Sequence, residues 1–145
     1  MTFIELVISI LIIAVLASIA FAGYQNYRER IRVSQAITDI GAMSVSVKHY
    51  MTDNSLPPAS LADIGYGSKL DPWGRPYLYL DLTSVKGKGK SRRDKKLNPL
   101  NSDFDLYSAG KDGQTQTQVN APQSRDDVIR ARDGKFIGLA SDLDP

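Results

Sequence analysis

Residues 1–23 read MTFIELVISILIIAVLASIAFAG, and this stretch decides the architecture of the chain. Its only charged residue is Glu5, and the next charge along the chain is Arg28. The eighteen uncharged residues from Leu6 to Gly23 would span about 27 Å as an α-helix. That length approaches the hydrocarbon thickness of a bilayer, about 30 Å, so the run predicts a membrane-crossing helix. A cleavable signal peptide is the alternative, but its apolar region would be shorter and would follow basic residues.

A carboxylate such as that of Glu5 is usually paired or functional in a membrane-crossing helix. An ionised carboxylate deep in a bilayer costs about 2–3 kcal/mol by insertion scales. Near a terminus it could simply reach the lipid headgroups. It could instead pair with the amine of Met1, either in its own chain or in an identical chain stacked with an axial stagger. The last pairing would let Met1 and Glu5 set the register of an assembly.

The helix is predicted to continue well beyond the apolar run. Apolar residues recur at intervals of three and four along one stripe: Val33, Ala36, Ile37, Ile40, Met43, Val47, Tyr50 and Met51. The first prolines of the chain, Pro57 and Pro58, enforce a stop. We therefore predict one helix from about Thr2 to about Asp53, whose second half packs one face on a small domain. His49, the only histidine, lies off the stripe and is expected to be solvated.

The remaining patterns predict a small antiparallel sheet. Strands are indicated at Tyr77–Leu82 and Asp103–Ser108, and Asp133-Gly134 can turn the chain between Val128–Ala131 and Lys135–Gly138. A short capped helical turn is expected over 60–65, and the tail 141–145 should be loosely held. The predicted class is α+β, a long amino-terminal helix with a hydrophobic first half on a sheet of about three strands. The predicted segments are 1–23 (membrane and assembly helix), 24–54 (amphipathic continuation) and 55–145 (globular domain).

Positive charge is concentrated in residues 86–96, which hold seven basic residues and one acidic residue. This block sums to +6 in a chain of net charge +2, so the other residues sum to about −4. The basic character is thus one loop and does not indicate a nucleic-acid surface, and the loop lacks aromatic residues for base stacking. The favoured interpretation is a solvated flexible loop. Docking on an acidic neighbour, a lipid headgroup or a surface polyanion is the alternative.

Three motifs occur together in this chain. They are Phe3-Ile4-Glu5-Leu6 before the apolar run, the segment DPWGRPY at 71–77, and the turn 110–113 followed by Asp126-Asp127. The set resembles the type IV pilin-like superfamily, and within it the major pseudopilin of type II secretion. The resemblance implies a pilin-like fold. In the second motif, proline and glycine fix a tight turn, and Trp73 can fill the helix–sheet interface.

The resemblance implies processing of the amino terminus. A prepilin peptidase would remove a short basic leader, and the new first residue, Met1, would be N-methylated. Because no basic leader is present, we expect the chain to be the processed form. The basic residues Arg28, Arg30 and Arg32 would favour a cytoplasmic carboxy-terminal part. The resemblance implies the opposite, because the removed leader carries its own positive charge. It implies a single-pass protein of the bacterial inner membrane with its globular domain in the periplasm.

The chain departs from the family pattern in the helix and in the basic loop. Ala14 and Ala22 stand where the family usually has glycine and proline. Since proline costs about 3 kcal/mol in a helix interior and alanine is the best helix former, this segment should be more helical than in relatives. Gly23 is a weaker point, at about 1 kcal/mol relative to alanine. The family loop corresponding to 86–96 is usually shorter, so this segment resembles an insertion.

A bound metal ion is predicted to stabilise the carboxy-terminal part. The chain has no cysteine, and small extracytoplasmic domains often need a disulfide or a metal. The resemblance implies calcium, which takes six to eight oxygen ligands. The implied ligands are the carboxylates of Asp112, Asp126 and Asp127 and the carbonyls of Ala109 and Gln114. The spacer between turn and acidic pair is longer than usual, and the flanking Lys111 and Arg125 could neutralise the carboxylates without metal.

The implied function is structural. The chain would be a subunit of a type II secretion pseudopilus, polymerising through its helix to push folded proteins through an outer-membrane pore. Implied partners are its own copies in a helical filament, minor pseudopilins, the inner-membrane secretion platform, the prepilin peptidase, and the membrane before assembly. The filament would lie in the periplasm or extend outside the cell. Alternatives are a major pilin of a type IV pilus (adhesion, motility or DNA uptake) and a membrane-tethered binding module. An enzyme is not expected, since the chain has no Gly-x-Ser-x-Gly and no phosphate loop.

Overall fold

A computed structural model describes residues 2–84 and 88–143 of the chain. Helix α1 covers Phe3–Asn54, and four strands follow: β1 (Leu78–Asp81), β2 (Phe104–Ser108), β3 (Val128–Ala131) and β4 (Phe136–Leu139). A short helix α2 covers Ala140–Leu143. The predicted α+β class, with a long amino-terminal helix and an antiparallel sheet, is confirmed. Helix α1 continues without a break through Ala14, Ala22 and Gly23.

The chain divides into two compact units, residues 1–32 and residues 33–145. The first unit contains the apolar run of α1 and the charged segment 28–32 that follows it, and its described apolar side chains are all exposed. The second unit holds the rest of α1 and the sheet. The predicted division into 1–23, 24–54 and 55–145 stays a prediction.

The core of the second unit lies between one face of α1 and the sheet. Ala36, Ile40, Met43 and Val47 are all fully buried, as the stripe predicts. They pack in one cluster with buried residues of the sheet and its flanks: Leu61, Tyr77, Phe104, Leu106 and Val128. Trp73 packs against the same cluster, in agreement with its predicted place at the helix–sheet interface.

The sheet is a meander with the order β1-β2-β3-β4, every neighbouring pair being antiparallel. It has four strands where the sequence predicts about three. Asp133 and Gly134 both have positive φ, 57° and 92°, and this turn brings β4 back along β3. The predicted turn at Asp133-Gly134 is thus confirmed.

A second, smaller core covers the other face of β3. Ile129 and Ala131 pack there with two residues from connections, Leu100 and Val119, and with Ala140 and Leu143 of α2. The prediction of a loosely held tail is therefore wrong for residues 141–143. Leu143 is buried because it packs against the apolar side chains on this face of the sheet. A single leucine between two aspartates gives no sign of this burial in the sequence. The last two residues lie outside the described part of the chain.

The prediction of a solvated basic loop is also wrong in part. Ser91 and Arg92 are buried, and Arg93 pairs with the segment around Gln118 through a parallel bridge. The reason is that the later part of the connection between β1 and β2 (residues 88–103, called here the β1–β2 connection) folds onto the domain. Residues 85–87, which include Lys86 and Gly87 of the predicted loop, lie outside the described residues.

Candidate functional site

The first candidate site is the apolar surface of α1 in the first unit. The side chains of Phe3, Leu11, Ile19 and other large apolar residues are more than half exposed, Phe3 at 85%. Helix α1 is long and apolar enough to cross a membrane, judged by length and composition. An apolar surface of this size needs lipid or protein to cover it.

Glu5 at the start of this surface has a local partner. The Thr2 backbone N–H donates to a Glu5 carboxylate oxygen at 2.7 Å, and the Glu5 N–H donates to the Thr2 hydroxyl at 3.4 Å. This reciprocal arrangement is a capping box, which satisfies two backbone donors at the helix start. The sequence pattern Thr-x-x-Glu could have indicated it. Met1 lies outside the described residues, so its pairing with Glu5 and its N-methylation stay predictions.

The second candidate site is the carboxy-terminal loop, residues 109–127, where the calcium ligands are predicted. Its two ends meet at Gly110 and Asp126. A Cβ added at Gly110 would collide with the Asp126 carbonyl, and the φ of Gly110 is +64°, so glycine permits this approach. A carboxylate oxygen of Asp126 accepts the Asp112 N–H at 2.9 Å, and Asp112 accepts the Gln114 N–H at 2.8 Å. Two of the predicted ligands therefore already accept backbone hydrogen bonds.

Asp127, the third predicted carboxylate ligand, is fully buried and faces an arginine. Its Oδ2 accepts hydrogen bonds from Arg92 Nη2 at 2.7 Å and from the Thr115 hydroxyl at 2.6 Å. Arg92 Nη1 donates to the same Thr115 hydroxyl. Burial raises the pKa of the Asp127 carboxyl to about 6, while the Arg92 guanidinium acts in the opposite direction. The second oxygen, Oδ1, has no hydrogen-bond partner within the described residues.

Arg92 is held from several sides, and only 2% of the residue is exposed. Its backbone N–H donates to Asp105 at 2.7 Å, and its guanidinium lies 4.1 Å from the centre of the Tyr107 ring. The second oxygen of Asp105 accepts an N–H of Asn101 at 2.9 Å. Arg92 is thus a buried residue held against β2 by specific contacts, and not a surface charge.

Another arginine reaches the loop from the DPWGRPY turn. Asp71 organises this turn by accepting the backbone N–H groups of Trp73 and Arg75 at 3.0 and 2.9 Å. The Arg75 guanidinium then donates to the Gly110 carbonyl at 2.8 Å. A Cβ added at Gly113 would collide with this guanidinium, which shows how closely the loop packs around it. The turn motif therefore also positions a cation.

Comparison with known proteins identifies relatives over most of the chain. The type II secretion system core protein G of Pseudomonas aeruginosa is 28% identical over 133 residues, covering 77% of this chain and 82% of that protein. The core protein G of Escherichia coli K12 is 28% identical over 139 residues, covering 81% and 84%. A fimbrial protein of Neisseria meningitidis is 27% identical over 137 residues, covering 91% and 78%. No family model and no solved structure matches the chain.

The chain is pseudopilin-like. The predicted resemblance to the major pseudopilins is confirmed by these relatives, together with the long apolar helix and the antiparallel sheet. The fimbrial relative agrees with the wider pilin-like superfamily.

The three predicted carboxylate ligands of this pseudopilin-like chain do not form one group that could hold a metal. Within residues 2–84 and 88–143, no group of three or more acidic or histidine side chains is close enough to hold an ion. Asp112 and Asp126 lie together at the loop ends, whereas Asp127 is directed to Arg92. Calcium binding through Ala109, Asp112, Gln114, Asp126 and Asp127 stays a prediction.

The neutralising cation is not the one that the sequence suggests. Lys111 and Arg125 flank the carboxylates in the sequence, but both residues are exposed, and the ion pair of Asp127 is made by Arg92. Arg92 lies 35 residues before Asp127, in the β1–β2 connection. No local spacing links the two, so the sequence carries no signal for this pair.

Proposed function

We propose that this chain is a structural subunit of a type II secretion pseudopilus. It would polymerise through the apolar half of α1 into a helical filament that pushes folded proteins through the outer membrane. The observation that carries this proposal is the exposed apolar surface from Phe3 to Phe21 on a helix with a glutamate, Glu5, in its first turn. The relatives named core protein G of the type II secretion system support it.

The free energy of assembly depends on which environment covers the apolar surface of α1 before the filament forms. We propose that the helix resides in the inner membrane before assembly, with the globular part in the periplasm. Moving it from lipid into a filament transfers apolar side chains between two apolar environments, so little hydrophobic free energy is gained. Close packing and polar pairing must then favour the filament, which gives Glu5 its proposed importance. The pairing partner would be the N-methylated amine of Met1 on a neighbouring copy.

The proposed partners follow from this role. Copies of the chain form the filament, minor pseudopilins and an inner-membrane platform assist assembly, and a prepilin peptidase prepares the amino terminus. The named relatives are secretion-system and fimbrial proteins, and we infer that this chain likewise has no catalytic role.

A major pilin of a type IV pilus is the second candidate function. The fimbrial relative from Neisseria meningitidis matches a larger share of this chain, 91%, than the core protein G of Pseudomonas aeruginosa, 77%. The DPWGRPY segment and the absence of a disulfide favour secretion.

Deletion of the gene in its native cell separates the two candidates. The secretion proposal predicts that exported proteins accumulate inside the cell while surface adhesion, twitching and DNA uptake remain. Unchanged export with lost adhesion or motility would instead identify a pilus subunit. Complementation with the wild-type chain must restore the lost property in either case.

A further inference from the structure

We propose that Arg92 takes the place of a metal ion in this chain, closing the carboxy-terminal loop without calcium. The proposal concerns the stability of the domain and does not depend on the assembly function. It accounts for the disagreement between the ligand set that the resemblance implies and the geometry around Asp127.

Arg92 and Asp127 form a buried pair of opposite charges. Arg92 and Asp127 are 2% and 0% exposed, and their charged atoms lie 2.7 Å apart. Thr115 completes the arrangement, because its hydroxyl accepts from Arg92 and donates to Asp127. A buried charge that loses its partner is strongly destabilising, so each of these residues requires the other. A metal at Asp127 would have to displace this guanidinium or lie beside it.

The β1–β2 connection and the segment before the acidic pair, both longer than is usual in the family that the sequence resembles, bind each other. Arg92 belongs to the β1–β2 connection, and Thr115 belongs to the spacer between turn and acidic pair (residues 114–125, called here the spacer). The Arg93 N–H donates to the Thr117 carbonyl at 2.8 Å, and the Val119 N–H donates to the Arg93 carbonyl at 3.0 Å. The connection and the spacer therefore form one structure that delivers Arg92 to Asp127.

Apolar packing fixes this structure to the sheet. Leu100 from the β1–β2 connection and Val119 from the spacer lie in the second core with Ile129 of β3. The Leu100 N–H donates to the Arg92 carbonyl at 2.9 Å, which ties the position of the arginine to this core. The pair is thus anchored by contacts that need no ion.

Two arginine side chains bring positive charge to the carboxy-terminal loop. Arg75 donates to the Gly110 carbonyl at one end of the loop, and Arg92 pairs with Asp127 at the other. Two guanidinium groups carry the same total charge as one calcium ion. They offset the acidic residues of the loop, Asp112, Asp126 and Asp127, which would repel one another without a cation.

The test is thermal unfolding of the full chain in detergent micelles, followed by the fluorescence of Trp73, the only tryptophan. Each protein is melted with chelator and with about 10 mM calcium, above the dissociation constants of weak extracellular sites. The wild type is expected to melt at the same temperature in both. Arg92→Gln is expected to melt roughly 10 °C or more below wild type in chelator. Because it frees Asp127, it should also melt higher in calcium than in chelator.

Two further variants keep the test decisive. Arg125→Gln removes an exposed arginine beside the acidic pair and should match the wild type in both buffers. Arg92→Lys keeps a positive charge and should be folded and insensitive to calcium even if Arg92→Gln does not fold. A wild-type melting temperature that rises in calcium would overturn the proposal, and so would an Arg92→Lys chain that melts higher in calcium. Filament formation is not measured, so failure of the secretion proposal leaves this result unaffected.

Discussion

Replacing Arg130 with methionine should destabilise the globular unit strongly. The Arg130 side chain is fully buried and makes two hydrogen bonds to Asp103, at 2.8 and 2.7 Å. It also donates to the Phe104 carbonyl at 2.8 Å and lies 3.9 Å from the centre of the Phe104 ring. Methionine keeps an unbranched apolar side chain but removes the ion pair with Asp103, the hydrogen bond to Phe104 and the guanidinium contact with the ring.

The magnitude follows from the burial of the two partners. Breaking a fully buried ion pair costs about 3–5 kcal/mol. Because 20% of the Asp103 side chain is exposed, water can partly solvate its carboxylate after the arginine is removed. We therefore expect the free energy of unfolding to fall by about 2–4 kcal/mol. For a domain of this size the melting temperature should fall by roughly 8–16 °C.

The assay is thermal unfolding monitored by circular dichroism, with Arg132→Met as the matched control. Arg132 is an exposed arginine two residues further along the chain, and its replacement should change the melting temperature by less than about 2 °C. The double variant Arg130→Met/Asp103→Asn should recover part of the loss, since it leaves no buried charge alone. An Arg130→Met chain that melts within about 2 °C of wild type would show that the buried ion pair contributes little to stability.

Three further predictions concern the same fold. Burial acts to raise the pKa of Asp103, but the hydrogen bonds and charge of Arg130 outweigh it and the pKa is lowered. The contribution of the Arg130–Asp103 pair to folding stability should therefore be fully present above the unfolded pKa of about 3.9. It should be lost as the pH falls through the lower pKa of the folded state. The melting temperature of wild type should accordingly depend on pH in this acid range, and that dependence should be weaker in Arg130→Met. Ile40→Ala should cost about 2–5 kcal/mol in denaturant titration, since Ile40 is fully buried, whereas Ile12→Ala at an exposed position should cost little. A filament density map should show continuous helix from Ala14 to Ala22; an extended stretch centred on Ala22 would mean that assembly strain outweighs helix propensity.

The elements of the fold could be predicted because their signals are local. The proline-free periodicity up to Pro57 defines helix α1, and its predicted limits differ from the observed ones by one residue at each end. Alternating residues indicate β1 and β2 in the same way. The capping box of Thr2 and Glu5 is equally local, since the pattern Thr-x-x-Glu is sufficient to indicate it.

The features that could not be predicted depend on tertiary contacts. Arg92 belongs to a run of basic residues whose composition is typical of a solvated loop, and its buried partner Asp127 is far along the chain. Leu100 and Val119 anchor this loop and the spacer to the sheet, yet the segments around them are mostly polar and show no sustained repeat of apolar residues. Without such a repeat, their burial cannot be inferred from pattern.

Filament yield from cells that contain the secretion machinery tests the proposed polymerisation through α1 most directly. Wild type, Glu5→Ala and Glu5→Gln are compared, with membrane insertion measured in parallel. Glutamine can keep the capping box with Thr2 but carries no charge, whereas alanine removes both. If charge pairing through Glu5 drives assembly, only the wild type should form filaments, while all three chains insert in the membrane. Filaments at wild-type yield from Glu5→Gln would contradict the charge pairing, and the absence of filaments from wild type would contradict the assembly itself.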